Sequence, residues 1–322
     1  MSKVGDHTLG FGEESTVGTA IAPSARIEVV NESLKLTVER IESKGLKAGR
    51  RFLSSNGWAA GKKSVEGDIE VEIPSNGFGT LLKHLLGTVA TTTPAGATTR
   101  RLHTITSGDL NAKSLTFEVA RTDVAGTSHK FTYNGCAIMD CEIACGVGDY
   151  ATAKLTIDGW NETVSAASAT SASYPTGTPL VFTGAAITIA GSSVPVTQFS
   201  CKIATGRKAD RYFLGSSLKS QQVESDMRMV DCKIDVEWTG LTQYQRFVNG
   251  TTAAIVAKFE TQDVIESTVK GYLEITIPVA RFDGETPNGG GEIVKQSVDF
   301  MALDNGTDEP ITIKYLSLDT SV

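Results

Sequence analysis

Long apolar segments are missing from this chain of 322 residues. It has no run of about 18 or more apolar residues, the length that a membrane-spanning helix needs. The segment Met1–Gly12 contains a single lysine and lacks the apolar stretch of a secretory signal peptide. We therefore expect a soluble protein that has no membrane partner and is not exported through a signal peptide.

The chain also lacks an excess of basic residues. Its 30 lysines and arginines are outnumbered by 37 aspartates and glutamates, which gives a formal net charge of -7 at pH 7. Proteins that bind tightly along nucleic acid need many Lys and Arg side chains against the phosphates. The composition therefore gives no support to a nucleic-acid-binding protein, and it predicts a mildly acidic surface.

Residue sets typical of metal centres and enzymes are missing as well. No histidine has a second histidine or a cysteine at metal-ligand spacing, and the cysteines form no CxxC pair. No Gly-x-Ser-x-Gly nucleophile motif occurs, and the glycine-rich segments Gly10–Gly12 and Gly289–Gly291 lack the strand-to-helix setting of a phosphate-binding loop. We therefore predict that the protein is not an enzyme and has no catalytic residue, metal or cofactor. The five cysteines are expected to be free thiols of a protein made in the cytoplasm: Cys136, Cys141, Cys145, Cys201 and Cys232.

The chain does contain many short runs in which every second residue is apolar, a pattern typical of half-buried strands. Examples are Ile69, Val71 and Ile73 in the first half and Leu273, Ile275 and Ile277 in the second half. Only two stretches have helical spacing, Phe78–Leu86 and Leu241–Val248, and each is followed by a Gly-Thr pair. The pattern predicts an all-β protein, antiparallel, with one short helix in each half.

Elements in the two halves match in order, which indicates an internal repeat. The matched pairs are Arg51–Leu53 with Arg211–Leu214, Val65–Asp68 with Val223–Asp226, Ile69–Glu72 with Ile234–Glu237, and Gly87–Thr88 with Gly250–Thr251. Two unrelated β domains that share a common alternation are the alternative. We predict an N-terminal arm (1–26), a first module (27–164), a Ser/Ala/Thr linker (165–179) and a second module (180–322), the two modules being related by duplication.

The N-terminal quarter carries an ordered set of motifs. Gly10–Ala20 reads GFGEESTVGTA, Glu32–Leu34 reads ESL, and Gly49–Arg51 reads GRR. This set resembles the opening of a family of tail-tube proteins of long-tailed bacteriophages. The resemblance implies tandem β-sandwich or partial-barrel modules, each with a flanking helix, whose inner sheets join around a ring to line a lumen. It also implies that a long loop hairpin and the terminal arms reach the next ring.

The function implied by the resemblance is that of a structural virion protein, the major tail-tube subunit, which assembles in the bacterial host cytoplasm and resides in the virion tail. Its partners would be further copies of itself and other tail proteins, namely the tape measure, tail tip and terminator. Phage DNA would pass through the stacked rings without specific binding. The alternative is a two-domain β-sandwich binding module of the adhesin or carbohydrate-binding type, which the dispersed positions of Trp58, Trp160 and Trp238 disfavour.

The duplication bears on the symmetry of such a ring. If each module fills one sixth of a ring, three chains close it and give a pseudo-hexameric trimer. The alternative is six chains per ring, with the second half on the outside. Since both halves carry the acidic strand and the helix, we favour the trimer.

Two long basic loops are candidates for contacts between subunits. The loops Ile41–Ser64 and Ala204–Gln222 are too long for simple hairpin turns. Arg and aromatic side chains are enriched at interface hot spots, so we predict that Arg51, Phe52, Arg211 and Tyr212 lie at subunit contacts. The alternative is a solvated loop with one anchoring aromatic.

Two acidic strands are candidates for the wall of the lumen. Glu70 and Glu72 alternate with apolar residues in the first half, as do Asp235 and Glu237 in the second. Facing a lumen, these carboxylates would repel DNA phosphates and keep a passing genome from adhering. On an outer surface they would only favour solubility, which is the alternative.

Overall fold

The computed structural model of the protein describes residues 8–167, 169–284, 286 and 294–322. The predicted Gly289–Gly291 turn and the first residues of the predicted arm lie outside the described residues. Strands make up 54% of the chain and helices 6%, which confirms the all-β expectation. The strands are β1 Thr8–Glu13, β2 Ala25–Ile27, β3 Asn31–Glu32, β4 Lys35–Glu42, β5 Trp58–Glu72, β6 Gly87–Thr92, β7 Arg101–Ser107, β8 Leu115–Thr122, β9 Ser128–Gly146, β10 Thr152–Gly159, β11 Asn161–Ser165, β12 Ala186–Ile189, β13 Ser192–Ser193, β14 Val196–Ala204, β15 Arg207–Lys208, β16 Val223–Glu224, β17 Met229–Glu237, β18 Ala253–Glu266, β19 Val269–Gly284, β20 Lys295–Ala302 and β21 Thr312–Ser317.

The two helices lie close to where the spacing predicts them, with α1 at Gly79–Leu86 and α2 at Thr242–Asn249; a short 3₁₀ helix occupies Phe182–Gly184. Each α-helix ends at a glycine with positive φ, 114° at Gly87 and 64° at Gly250. A side chain at either position would be strained, because L residues with a Cβ rarely adopt this conformation.

The first half contains two antiparallel sheets that share one long strand. The initial part of β9 pairs with β8 and β11, and its later part pairs with β10, which in turn pairs with β5 and then β4. β1 pairs with both β2 and β8 and so extends the first of these sheets. The apolar faces enclose a core that includes Leu9, Phe117, Tyr133 and Leu155, all at most 1% exposed.

The second half has the same arrangement of strands. β19 pairs first with β18 and β21 and later with β20, and β20 pairs with β17 and then β14. β12 pairs with both β13 and β18, as β1 pairs with β2 and β8. In chain order, α1 follows β5 and α2 follows β17. The first half then has the additional hairpin β6–β7 before β8, whereas α2 is followed directly by β18. This shared topology favours an internal duplication, which remains our proposal.

The halves are joined by pairing between strands. β9 pairs with β14 in antiparallel register, with Ile143 opposite Cys201. One sheet therefore runs through both halves in the order β4, β5, β10, β9, β14, β17, β20 and β19. A second connection comes from the β6–β7 hairpin, since β7 pairs with β21 and places His103 opposite Tyr315.

The segments expected to be an arm and a linker both pack on the first half. Glu14, after β1, is 5% exposed and accepts hydrogen bonds from Ser114 and Thr116. In the 165–179 segment, Thr170 donates its backbone and hydroxyl hydrogens to Glu118. Both segments thus contribute to the packing of the first half.

All five cysteines are buried and free in the structure. Burial raises the pKa of Cys145 to about 11 and moves the pKa of the Cys136 and Cys232 thiols well above its usual range. Within the described residues, no group of His, Cys, Asp and Glu could hold a metal ion. No helix in this part of the chain is long and apolar enough to cross a membrane.

Candidate assembly surfaces

The shared sheet places the four acidic candidates on one face. In antiparallel pairs, residues directly opposite each other point to the same side. Glu70 lies opposite Lys154, Lys154 opposite Glu142, and Glu142 opposite Lys202, which faces Asp231 on β17. Since side chains alternate along a strand, Glu72, Asp235 and Glu237 lie on this face too.

The other face of the same strands forms the core. Ile69 and Val71 on β5 are at most 1% exposed, and Ile234 and Val236 on β17 are at most 4% exposed. The alternation that the sequence predicts therefore separates a buried apolar face from a polar face on both strands. We call the latter the acidic face; it spans β5, β10, β9, β14, β17 and β20.

Carboxylates outnumber ammonium groups on the acidic face. Two of the lysines pair with acidic neighbours, Lys154 with Asp68 at 3.1 Å and Lys202 with Asp140 at 3.7 Å. These are exposed ion pairs, so each contributes little to stability. The carboxylates are Asp68, Glu70, Glu72, Asp140, Glu142, Asp231, Asp235, Glu237 and Asp299, and the lysines are Lys154, Lys202, Lys233 and Lys295.

The acidic face is concave where the two halves meet. An open depression of about 890 Å³ is lined by Glu72 from β5, by the β9–β10 turn and by Asp235 and Lys295 from the second half. The structure thus brings Glu72 and Asp235 to the rim of one depression, although they are far apart in the chain.

The two predicted contact loops are the tips of equivalent hairpins. The first hairpin (residues 38–63) connects β4 to β5, and the second hairpin (residues 205–228) connects β14 to β17. The second hairpin folds back onto the first half. The backbone N–H of Thr205 donates to the carbonyl of Met139, and the backbone N–H of Lys63 donates to the carbonyl of Ser217.

Two of the predicted contact residues make contacts within the chain. The hydroxyl of Tyr212 donates to the backbone carbonyl of Lys63 at 2.8 Å, and Lys62 lies over the Tyr212 ring at 5.0 Å. Arg211 donates to the carbonyl of Gln221 at 2.8 Å, within the second hairpin. Tyr212 therefore lies at a contact between the two halves of one chain.

The matching residues of the first hairpin are exposed. The Phe52 side chain is 87% exposed, and Arg51 beside it is exposed as well. Other large apolar residues near the same tip are also in solvent, with Leu46 fully exposed and Trp58 53% exposed. The first hairpin thus presents Leu46 and Phe52 almost fully to solvent, while Trp58 is half exposed beneath Arg40.

Sequence reasoning missed the buried ion pair that holds the second hairpin in place. The ammonium group of Lys219 contacts the carboxylate of Asp158 on β10, and their side chains are 2% and 6% exposed. Gln222 donates to the second carboxylate oxygen of Asp158 at 2.7 Å. Burial raises the pKa of Asp158, although Lys219 and Gln222 oppose the shift. The two partners of the ion pair are 61 positions apart, so no local motif predicts the contact.

Arg207 is a second feature that the sequence does not reveal. Its side chain is 7% exposed and donates to the backbone carbonyls of Leu110 and Lys113, ahead of β8. Burial lowers the pKa of Arg207 to about 10. The second hairpin therefore supplies a buried cation to backbone oxygens of the first half.

Arg228 plays a similar part at the base of the second hairpin. It donates to the carbonyl of Leu86 at 2.8 Å and to that of Gly108. Leu86 is the last residue of α1, where backbone carbonyls have no partner within the helix and cations are favoured. α1 is thus capped by a side chain from the other half.

The N-terminal strand is tied to the same helix. Glu13 at the end of β1 forms an ion pair with Lys83 at 2.8 Å and a hydrogen bond with His84 at 3.2 Å. The hydrogen bond from His84 lowers the pKa of Glu13 to about 2, and burial lowers the pKa of His84. The N-terminal segment therefore contributes a polar contact to α1.

Comparison with known proteins gives one finding. The model of a family described as phage tail tube protein matches residues 5–302, almost the whole chain. No curated protein matches the chain.

Proposed function

The chain belongs to the phage tail tube protein family, and from this premise we propose that it is the major tail-tube subunit, which assembles into stacked rings that form the conduit for phage DNA. The family is one of structural virion proteins, located in the virion tail. Further copies of the chain are its main partners, together with the tape measure, tail tip and terminator proteins. Assembly takes place in the host cytoplasm before the tube joins the virion.

The main support for assembly into rings is the sheet that runs through both halves of the chain. β9 of the first half pairs with β14 of the second half. The strand in the second half that corresponds to β9 is β19, and the strand in the first half that corresponds to β14 is β4. The same pairing between β19 of one chain and β4 of the next would continue the sheet from chain to chain and close a ring.

Three chains per ring follow if each half fills one sixth of the ring, which is the share that we propose for a module. Each half contributes the same strands to the shared sheet, so each fills the same angular share of the ring. A pseudo-hexameric trimer uses both halves in one wall. A ring of six chains with the second half on the outside would leave the β9–β14 junction without a structural counterpart between chains.

The acidic face would line the lumen. It is polar, concave and continuous across both halves, and its excess of carboxylates would repel DNA phosphates. Glu70, Glu72, Asp235 and Glu237 are then the lumen-facing residues. DNA would pass this wall without specific binding.

Electron microscopy of the purified full-length chain tests the proposal. We expect rings or tubes in negative-stain images, with a central channel. A chain that stays monomeric at high concentration and at several salt concentrations would contradict the tube function. The alternative of a carbohydrate-binding module has no observation in its favour, since Trp160 is engaged with Gln222 and does not belong to an aromatic platform.

A further inference from the structure

Only one of the two equivalent hairpins is covered within the chain. The second hairpin lies against the first half through hydrogen bonds, a buried ion pair and a capping arginine. The tip of the first hairpin is exposed over residues 42–53. Because the hairpins occupy equivalent places in the two halves, the contacts of the second hairpin indicate what would cover the first.

The strands that follow the two hairpins, β5 and β17, can be aligned residue by residue. Ile69 and Ile234 are matched by the internal repeat and are both buried. Lys63 precedes Ile69 by the same number of positions as Arg228 precedes Ile234. This alignment replaces the match of Val65–Asp68 with Val223–Asp226, since Val65 lies within β5 whereas Val223 lies ahead of β17. The first hairpin therefore has a cation at the position from which Arg228 caps α1.

The strands that precede the two hairpins can be aligned in the same way, through their pairing with β5 and β17. Glu32 lies opposite Ile69, and Phe199 lies opposite Ile234. Counted from these two residues, Arg40 in the first hairpin matches Arg207 in the second. Arg207 is buried against backbone carbonyls of the first half, whereas Arg40 is exposed.

The second half contains the carbonyls that these cations would meet. Leu110 and Lys113 precede the start of β8 by five and two positions, and Val248 and Thr251 precede the start of β18 by the same intervals. Asn249 is the last residue of α2, as Leu86 is of α1.

The two helices differ in how they are covered. Six of the eight residues of α1 are buried, whereas no residue of α2 is buried. Phe247 and Val248 of α2 are 38% and 58% exposed. Met227, two residues before β17, is 89% exposed. α1 is covered mainly by β6, β7 and β9 of its own half, and the second hairpin adds Arg228 at its C-terminal end. The second half has no counterpart of β6 and β7 between α2 and β18, where every residue is described, so the C-terminal end of α2 is open to a cation from another chain.

We propose that the first hairpin docks on the second half of a neighbouring copy of this chain. Arg40 would donate to the carbonyls of Val248 and Thr251, and Lys63 would cap α2 at Asn249. The proposal rests on the proposed ring, and it assigns the hairpin to a contact between chains of the same ring.

Charge complementarity supports a second copy as the occupant. Within the chain, the second hairpin touches the residues that follow β10, where Trp160 donates to Gln222 at 3.3 Å. The residues that follow β20 in the second half form an exposed acidic loop with Asp304, Asp308 and Glu309. The first hairpin is basic at Lys44, Lys47, Arg50, Arg51 and Lys62. The docking would place opposite charges next to each other.

Site-specific photo-crosslinking in assembled tubes tests the docking. The full-length chain with p-benzoylphenylalanine in place of Phe52 is mixed with an excess of unmodified chain, so that assembly does not depend on the variant. We expect crosslinks between chains that map to the second half, near Arg228 at the start of β17, which is the counterpart of Lys63, or to the adjacent α2 or loop 303–310. A chain modified at Tyr212 is the matched control, and it should crosslink within one chain to β5 near Lys63.

The outcomes separate the docking from the tube function. Tubes in which position 52 crosslinks to the first half of another chain, or to no second-half peptide, would overturn the docking and leave the tube function standing. A chain that neither forms tubes nor crosslinks between copies would overturn both.

Discussion

Asp158 and Lys219 form a buried ion pair between the two halves of the chain. Both side chains are almost fully buried, so removal of one partner leaves an uncompensated charge in the core. We expect Lys219→Ala to lower the free energy of unfolding by about 3–5 kcal/mol, the usual effect of breaking a buried pair. Urea denaturation of the purified chain measures the change.

The matched control is Lys208→Ala in the same hairpin. Lys208 pairs with Asp210 at 3.7 Å, and both side chains are more than half exposed. Exposed pairs contribute about 0–1 kcal/mol, so this variant should unfold close to the wild-type midpoint. Equal effects of the two substitutions would contradict the role given to Asp158 and Lys219.

His84 makes stability depend on pH. Because burial lowers the pKa of His84 in the folded protein, the unfolded chain binds the proton more readily. The free energy of unfolding should therefore be unaffected by His84 protonation above the ordinary histidine pKa, about 6.5. It should decrease as the pH drops below that value. His103 adds to the same trend, since burial lowers its pKa too.

Thermal unfolding between pH 7.5 and pH 5 measures this effect. His84→Gln should reduce the loss of melting temperature over this range. His129→Gln serves as the control, because His129 is partly exposed and pairs with Asp123 at the surface. A His84→Gln variant with an unchanged pH slope would show that His84 does not couple folding to protonation.

Single residues were the hardest features to predict from the sequence. The Arg and aromatic content of the two loops directed attention to Arg211 and Tyr212, and Tyr212 does lie at a contact between halves. The role of Lys219 or Arg207 could not be predicted, because each partner lies far away in the chain. Long-range contacts of this kind depend on how strands pair, which alternation alone does not determine.

At the scale of elements, the acidic strands β5 and β17 carry a testable role. If the acidic face lines the lumen, its carboxylates keep DNA from adhering. We expect phage that carry Glu70→Gln, Glu72→Gln, Asp235→Asn and Glu237→Gln together to eject their genome more slowly. The rate of DNA release from triggered virions measures this, and the effect should be largest at low ionic strength.

A control phage neutralises an exposed carboxylate on another surface, such as Asp263 at the end of β18. It should eject DNA at the wild-type rate. If the phage with the altered β5 and β17 carboxylates has tubes of normal length and also ejects at the wild-type rate, the acidic face does not line the lumen.

Elements were predictable from local patterns. The alternation predicts the strands around Ile69 and Ile275, and the helical spacing and the Gly-Thr pairs locate α1 and α2 to within a residue at each end. The β6–β7 hairpin could not be predicted to join β21, since its residues give no sign of their partner. The pairing of β9 with β14 was equally hidden, although it makes one sheet of the two halves.

At the scale of the whole molecule, the shared topology of the halves is the central feature. The two halves differ in their cover: the second hairpin lies against the first half while the first hairpin is exposed, and α1 is buried beside β6–β7, which has no counterpart next to α2 among the described residues. A ring built from three chains repeats the contact between halves as the contact between chains. In such a ring, the proposed docking would place the first hairpin of the next copy against the C-terminal end of α2.

The mass of a single ring tests this account most directly. Native mass spectrometry of rings released from tubes counts the chains, each of 34.1 kDa. The account predicts three chains per ring, with six equivalent modules in projection images. Six chains per ring would contradict it, because the two halves of each chain could not then each fill one sixth of the wall.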